Sequence, residues 1–277
     1  MIYCDLHTHS TFSDGTLTPT GIIELADKLG LAAVALTDHN NVDGLPEFIA
    51  AGKGKQVKTV AGAEFSVDYE GTELHLLGLY LPEGCFDRVS GLMEDVNRRK
   101  EESNLALVAA LDKAGYRLDY KKIKASTPKG KLNRSDIAQA LMEAGYVSSI
   151  DEAFTKLLDP ERGYYVEPQR LTVWQILDLI REVGGVSVLA HPFLNLNESQ
   201  LEEFLPRAKA YGLVGMECHY SEFTPQQTQS ALALADRFGL LPSGGSDFHG
   251  DRKPHIQLGT GTGSLAVPAA WAEALKP

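Results

Sequence analysis

Several short segments of this chain gather residue types that bind divalent metal ions. In DLHTHS, His7 and His9 stand two residues apart at the end of an apolar stretch. In extended backbone, positions i and i+2 face one side, so both imidazoles can reach a single cation. Asp14 follows in SDG, where a plain turn aspartate is the bland alternative. TDHN carries Asp38 and His39, otherwise a capping aspartate and a loop histidine. Glu64 lies in AGAEFS after a buried stretch, where an unpaired carboxylate would be costly. His75 stands inside the apolar ELHLLG and, alone, would be a satisfied core residue. His191 closes an apolar run in LAHP. Asp247 and His249 are again two apart in GGSDFHG, whose Gly244, Gly245 and Gly250 let the backbone bend. Imidazole and carboxylate in such a mixture suit zinc, manganese or iron.

These residues need a scaffold that turns them toward one place. The N-terminal part alternates short apolar strands with amphipathic helices. Strands are expected at 2–6, 32–36, 57–65 and 72–80, and helices at 19–29, with Thr18 as N-cap, and 42–51. A polar, charged helix is expected at 86–114, followed by short helical pieces at 136–143 and 151–158. Alternation resumes with helices at 172–183, 198–211, 225–238 and 268–275, and strands at 186–190, 214–218 and 241–246. Repeated strand–helix units imply a parallel sheet, and about seven strands in one chain suggest a barrel. The fold expected is α/β, a barrel formed by residues 1–82 and 166–277 with an inserted helical domain at 83–165. Seven of the eight histidines and several carboxylates fall just after predicted strands, the end that carries active sites in barrels. His255 lies in a polar loop and receives no role.

Composition narrows the functions. Hydrophobic residues make up 43% and charged residues 23%, ordinary for a globular protein. No apolar run is long enough to span a bilayer, and the first residues lack the pattern of a signal peptide, so the cytosol is the expected compartment. The three cysteines, Cys4, Cys85 and Cys218, form no C-x-x-C pair and read as buried thiols. The formal charge of −11 argues against a surface for long nucleic acids. It leaves room for a small phosphorylated substrate, because bound cations invert the local field; three divalent ions would bring the sum to about −5.

In this order, DLHTHS-x3-DG, TDHN, Gly-x-Glu, AHP and GGSDFHG resemble the PHP (polymerase and histidinol phosphatase) family. The resemblance covers the chain to about Gly261, the insert included, and implies a distorted seven-stranded (β/α) barrel. It also implies two or three divalent ions, manganese, iron or zinc. His7, His9, Glu64 and Asp247 would hold the first. Glu64 would bridge to a second, held by His75 and His191. Asp14, His39 and His249 would hold a third, with Asp14 standing where many relatives have histidine. Asp38 would orient an imidazole without binding an ion. In the insert, the family's Gly-Arg-Pro-His stretch reads Asn133-Arg134-Ser135-Asp136. Arg134 is thus the candidate clamp for a substrate phosphate.

The activity implied is hydrolysis of phosphomonoesters of small nucleotides, above all nucleoside 3′,5′-bisphosphate to the 5′-phosphate, with 5′–3′ trimming of short oligonucleotides as a related activity. A hydroxide bridging the ions, held by Glu64 and Asp247, would attack phosphorus in line. His219 and Tyr220, near a strand end, are further candidates for the substrate pocket. Arg98, Arg99 and Lys100 read as a solvated helix face. Histidinol-phosphate phosphatase, a cyclic phosphodiesterase, a slow sugar-phosphate sensor and a non-catalytic metal-binding PHP module are the alternatives. No membrane partner is expected.

Overall fold

The computed structural model describes residues 3–127 and 132–277. Contacts divide the chain into two units, one formed by residues 1–90 and 170–277, the other by residues 91–169.

The first unit is built on a sheet whose strands are β1 (Tyr3–Asp5), β2 (Ala33–Leu36), β3 (Lys58–Tyr69), β4 (Thr72–Leu79), β5 (Leu171–Thr172), β6 (Val186–Leu189), β7 (Gly215–Tyr220), β8 (Leu241–Gly245) and β9 (Val267–Pro268). Their order is β8-β7-β6-β4-β3-β2-β1-β9, with β5 beside β3. The first and last long strands meet. Leu6 N donates to Gly244 O at 3.1 Å, and Asp247 N donates to His7 O at 2.9 Å. These bonds nearly close the sheet into a barrel. Among the described residues seven strands are longer than two residues; β5 and β9 are two-residue additions.

The sheet is not parallel throughout, as strand–helix alternation implied. β4 runs antiparallel to both β3 and β6. The cause is local: Tyr69 pairs with Thr72 across the two-residue turn Glu70-Gly71, whose φ values are 52° and 85°. Positive φ at both turn positions matches the strand twist and makes a tight hairpin. His75 and His219 lie inside β4 and β7, not after a strand.

The helices of this unit are α1 (Pro19–Leu29) and α2 (Leu45–Gly52), then α7 (Val173–Glu182), α8 (Glu198–Tyr211), α9 (Pro225–Arg237) and α10 (Ala269–Leu275). Thr18 caps α1, its side chain accepting from Gly21 N, with Pro19 at the first position. Capping boxes open α7 (Thr172 and Gln175), α8 (Asn197 and Gln200) and α9 (Thr224 and Gln227). Cys4, Leu6, Ala33, Ala35, Val60, Leu77, Leu79, Val186 and Val188 form one core with Ala272 and Leu275 of α10. Side chains alternate along a strand, so His75 shares a face with Leu77 and Leu79, and Glu64 shares one with Val60. Polar residues thereby follow the apolar core on the same strand faces. All three cysteines are buried and free.

The second unit is helical. It contains most of α3 (Phe86–Lys113), then α4 (Tyr120–Ser126), α5 (Arg134–Glu143) and α6 (Ile150–Ala153), and among its described residues there is no strand. Leu107, Leu111, Ile137, Leu141 and Leu158 are the centre of its core. Arg98 is exposed and pairs with Asp95 and Glu102 on its own helix.

Candidate metal centre

The seam between β1 and β8 sets the first pair of imidazoles. A Cβ at Gly245 would lie 2.4 Å from His7 Cβ, so only glycine lets the strands approach here. His7 is fully buried, and its Nδ1 donates to Glu217 Oε1 at 3.1 Å. That bond fixes the tautomer and leaves Nε2 with a lone pair. His7 Nε2 then lies 3.1 Å from His9 Nε2 and 3.3 Å from Glu64 Oε2. His9 Nε2 is 3.3 Å from Glu64 Oε2 and 3.2 Å from Asp247 Oδ1.

Glu64 divides its two oxygens. Oε1 faces His75 Nδ1 at 2.7 Å and His191 Nε2 at 3.0 Å. Oε2 faces His7, His9 and, at 2.9 Å, His39 Nδ1. A third group surrounds Asp14. His249 Nε2 is 3.3 Å from Asp14 Oδ1, and His39 Nε2 is 3.7 Å from Asp14 Oδ2. His249 Nδ1 donates to Asp247 O at 2.8 Å, which turns Nε2 toward Asp14. Within three groups, one donor atom per residue, all atoms lie within 4.8 Å of one another: His7, His9 and Glu64; His39, Glu64 and His75; and His9, Asp14, His39 and His249. His9 thus stands close to the Asp14 group as well as to Glu64.

Three residues at the site have positive φ without being glycine: Asn40 at 45°, His191 at 25° and Asp247 at 57°. Such backbone is costly and persists where its surroundings hold it. Glu217 does part of the holding, since its Oε2 accepts from His191 N at 2.6 Å.

Do these residues fit a cation? Glu64 Oε2, Asp14 Oδ1, His39 Nδ1 and His191 Nδ1 are buried and have no hydrogen-bond partner. Yet Glu64 Oε2 has three imidazole nitrogens within 3.3 Å, at angles that hydrogen bonds do not take. With metal–ligand bonds of about 2.0–2.2 Å, neighbouring ligand atoms sit about 3.0–3.5 Å apart. The observed spacings are of that size, so the donor set fits divalent cations.

Without a cation, protons take up the same role. Burial opposes charge on His9, but hydrogen bonds and charges from Asp247 and Glu64 prevail and raise its pKa to about 9. On His75 burial again opposes, and Glu64 with Glu73 raises it to about 10. Burial works against ionised Glu64 and Asp247, yet His75 and His39 for the first, and Lys253 and His249 for the second, hold both well below the usual range.

Other expectations change. Asp38 does not orient an imidazole directly. Its oxygens accept from Ser10 N at 2.8 Å, Ser10 Oγ at 2.7 Å and Ser13 Oγ at 2.6 Å, pinning the loop that carries His9 and Asp14. Glu217, outside the expected ligands, does hold an imidazole directly, that of His7. His219 turns away from the cluster: its Nδ1 bonds Ala266 O at 2.8 Å and its ring packs on Trp271. The reason is a bulge in β7 between Glu217 and His219, which breaks the alternation. Tyr220 gains by the same bulge, and its hydroxyl donates to Asp247 Oδ2 at 3.0 Å. Arg134 stands in the first turn of α5 with its guanidinium over Tyr165, 4.5 Å from the ring centre. Asp136 completes a capping box, its Oδ2 accepting from Asn133 N at 2.7 Å.

Four participants went unread in the sequence. Glu217 carried a readable signal, a glutamate inside the apolar GMECHY, of the kind that singled out Glu64. Lys253 donates to Asp247 Oδ2 at 2.7 Å, and no motif marks it. Asp5 accepts from Ser246 N and Oγ, Gly259 N and His7 N, tying both ligand-bearing strand ends together. Glu73 Oε1 lies 3.5 Å from His75 Nε2, and Arg170 donates to its other oxygen at 2.6 Å.

The family model of the PHP domain matches residues 5–171, more than half the chain. The chain belongs to the PHP domain family. Among its relatives, a 5′-3′ exoribonuclease of Haemophilus influenzae is 30% identical over 246 residues, 88% of this chain and 89% of the relative. A 3′,5′-nucleoside bisphosphate phosphatase of Chromobacterium violaceum is 31% identical over 252 residues, 90% of this chain and 88% of that protein. A solved structure from Bifidobacterium adolescentis, assigned there as a metal-dependent phosphoesterase, superposes with a TM-score of 0.84 at 27% identity, over 98% of this chain and 94% of that one. This PHP protein is an enzyme, a metal-dependent phosphoesterase. None of the helices among its described residues is long and apolar enough to cross a membrane.

Proposed function

We propose that this enzyme hydrolyses phosphomonoesters of small nucleotides, converting a nucleoside 3′,5′-bisphosphate to the 5′-phosphate and inorganic phosphate, with short oligonucleotides as secondary substrates. The observation that carries the reading is Glu64, buried between two sets of imidazoles with one oxygen turned to each. A carboxylate so placed suits a pair of neighbouring cations, and paired cations suit phosphoryl transfer. The nucleotide part of the reading is supported by the bisphosphate phosphatase and the exoribonuclease among the relatives.

In this proposal His7, His9, Glu64 and Asp247 hold one ion, His75 and His191 share Glu64 with a second, and Asp14, His39 and His249 take a third. When bound, such ions would supply Lewis-acid activation of water and neutralise charge on phosphoryl oxygens. The rest is done by the chain. Glu217 fixes His7 in one tautomer and holds the turn at His191. Tyr220 and Lys253 both donate to Asp247 Oδ2, so Oδ1 alone is presented to the imidazoles. Asp38 clamps the loop between His9 and Asp14 through Ser10 and Ser13.

Phosphate release from adenosine 3′,5′-bisphosphate, AMP and histidinol phosphate, each with manganese, tests the proposal. Fast conversion of the bisphosphate to AMP, with the other two nearly inert, is the expected result. Preferential hydrolysis of histidinol phosphate would move the protein to a different substrate on the same cluster. No release from any of them by protein that contains metal would point to a diester substrate.

A further inference from the structure

The β6–α8 and β7–α9 connections leave the barrel next to site residues. The first carries His191 as its second residue, and the second begins just after Tyr220. Between them lies an open cleft of about 530 Å³, with Phe193, Asn195, Glu198, Gln226 and Ser230 among its walls. That size falls in the range of about 300–1,000 Å³ usual for small-molecule sites. A line of rings leads from the cluster to the cleft. His191 and Tyr220 have centroids 5.3 Å apart, Tyr220 and Phe223 5.2 Å, and Phe223 and Phe193 5.4 Å.

The lining decides what would sit there. The amino ends of α8 and α9 open on the cleft, but Asn197 and Thr224 already accept from their backbone amides. The carboxylate of Glu198 stands beside them. A phosphate therefore gains little here and meets a like charge. A neutral, planar group with polar edges suits the lining better, because Phe193 is an aromatic ring on which such a group can pack and Asn195 and Gln226 carry both donors and acceptors. We propose that this cleft is the subsite for the nucleobase of the substrate, seated against Phe193 with its edge met by Asn195 and Gln226. The inference rests on the nucleotide reading above and deepens it, since it says where the base goes once the phosphate ester is at the cluster.

The test uses the full chain with manganese. Activity (kcat/KM) is measured on adenosine 3′,5′-bisphosphate and on glycerol 2-phosphate, a phosphomonoester without a ring. The proteins are the wild type, Phe193→Ala and the double variant Asn195→Ala/Gln226→Ala. The ratio of the two activities should fall about tenfold in Phe193→Ala, mainly through KM for the bisphosphate. It should fall about threefold in the double variant, where only exposed side chains change, so a folding defect at Phe193 does not hide the answer. An unchanged ratio in both variants overturns the base subsite while the nucleotide reading stands. A wild type that does not prefer the bisphosphate overturns the nucleotide reading, and this inference with it.

Discussion

Glu217 shows how much a residue that holds no ion can decide. It is fully buried and serves two ligand-bearing segments at once, His7 through the ring and His191 through the backbone. Replacing it by glutamine keeps the shape but places an amide where a charged acceptor was. Loss of such an orienting partner typically weakens metal binding about 10–100-fold. Glu217→Gln should therefore keep its fold by circular dichroism, lose affinity for manganese by that factor in a chelator competition, and lose activity in parallel. Wild-type affinity in a folded Glu217→Gln protein would show that the bond to His7 is incidental. Lys253 and Tyr220 act on Asp247 in a related way, by occupying Oδ2.

At the scale of elements, the site depends on how closely β1 and β8 approach. Gly245 is the contact point: an added Cβ would sit 2.4 Å from His7 Cβ and 2.5 Å from His7 N. All the nearest atoms are the main chain and Cβ of His7, which leave nothing flexible to yield. Gly245→Ala should thus cost about 1–3 kcal/mol through overpacking and move His7 relative to Asp247. Both a lower melting temperature and a lower metal content are expected. Unchanged metal content would mean that the seam tolerates separation. The β3–β4 hairpin matters for a different reason. By reversing β4 beside β3, it sets Ser66 opposite His75 and brings the His75 ring to Glu64 at 2.7 Å.

At the scale of the molecule, charge is unevenly divided. Residues 91–169 contain 13 Lys and Arg and 13 Asp and Glu, so the whole formal charge of −11 belongs to the barrel unit. Bound cations would offset part of that charge at the cluster. Protons do the same in metal-free protein, and this gives a pH signature. His9 and His75 have folded pKa values of about 9 and about 10, above the ordinary 6.5. Their contribution to stability is complete below about 6.5 and is lost as pH rises through the folded values. Metal binding displaces these protons, so it must release them and tighten as pH rises. Metal-free protein should melt at progressively lower temperature from about pH 6.5 to 9.5, with the gap to manganese-loaded protein widening. Parallel curves for the two forms would rule out proton displacement at the cluster.

Much of this protein is determined by the sequence alone, because short-range chemistry leaves local marks. His7 and His9, Asp247 and His249, and the lone Glu64 are legible because polar residues next to buried apolar runs need partners. The helix starts at Thr18, Asn197 and Thr224 follow from capping chemistry within four residues. What crosses the chain was decided only by the tertiary structure. The bond from His7 to Glu217 spans 210 residues, and that from Ser246 to Asp5 spans 241. No local pattern encodes such pairs. The bulge in β7 turned His219 away and brought Tyr220 to Asp247, because one irregular residue shifts every later side chain to the other face. Lys253 reaches Asp247 from a loop with no periodicity at all, and its part in the site follows only from where the closed barrel puts that loop.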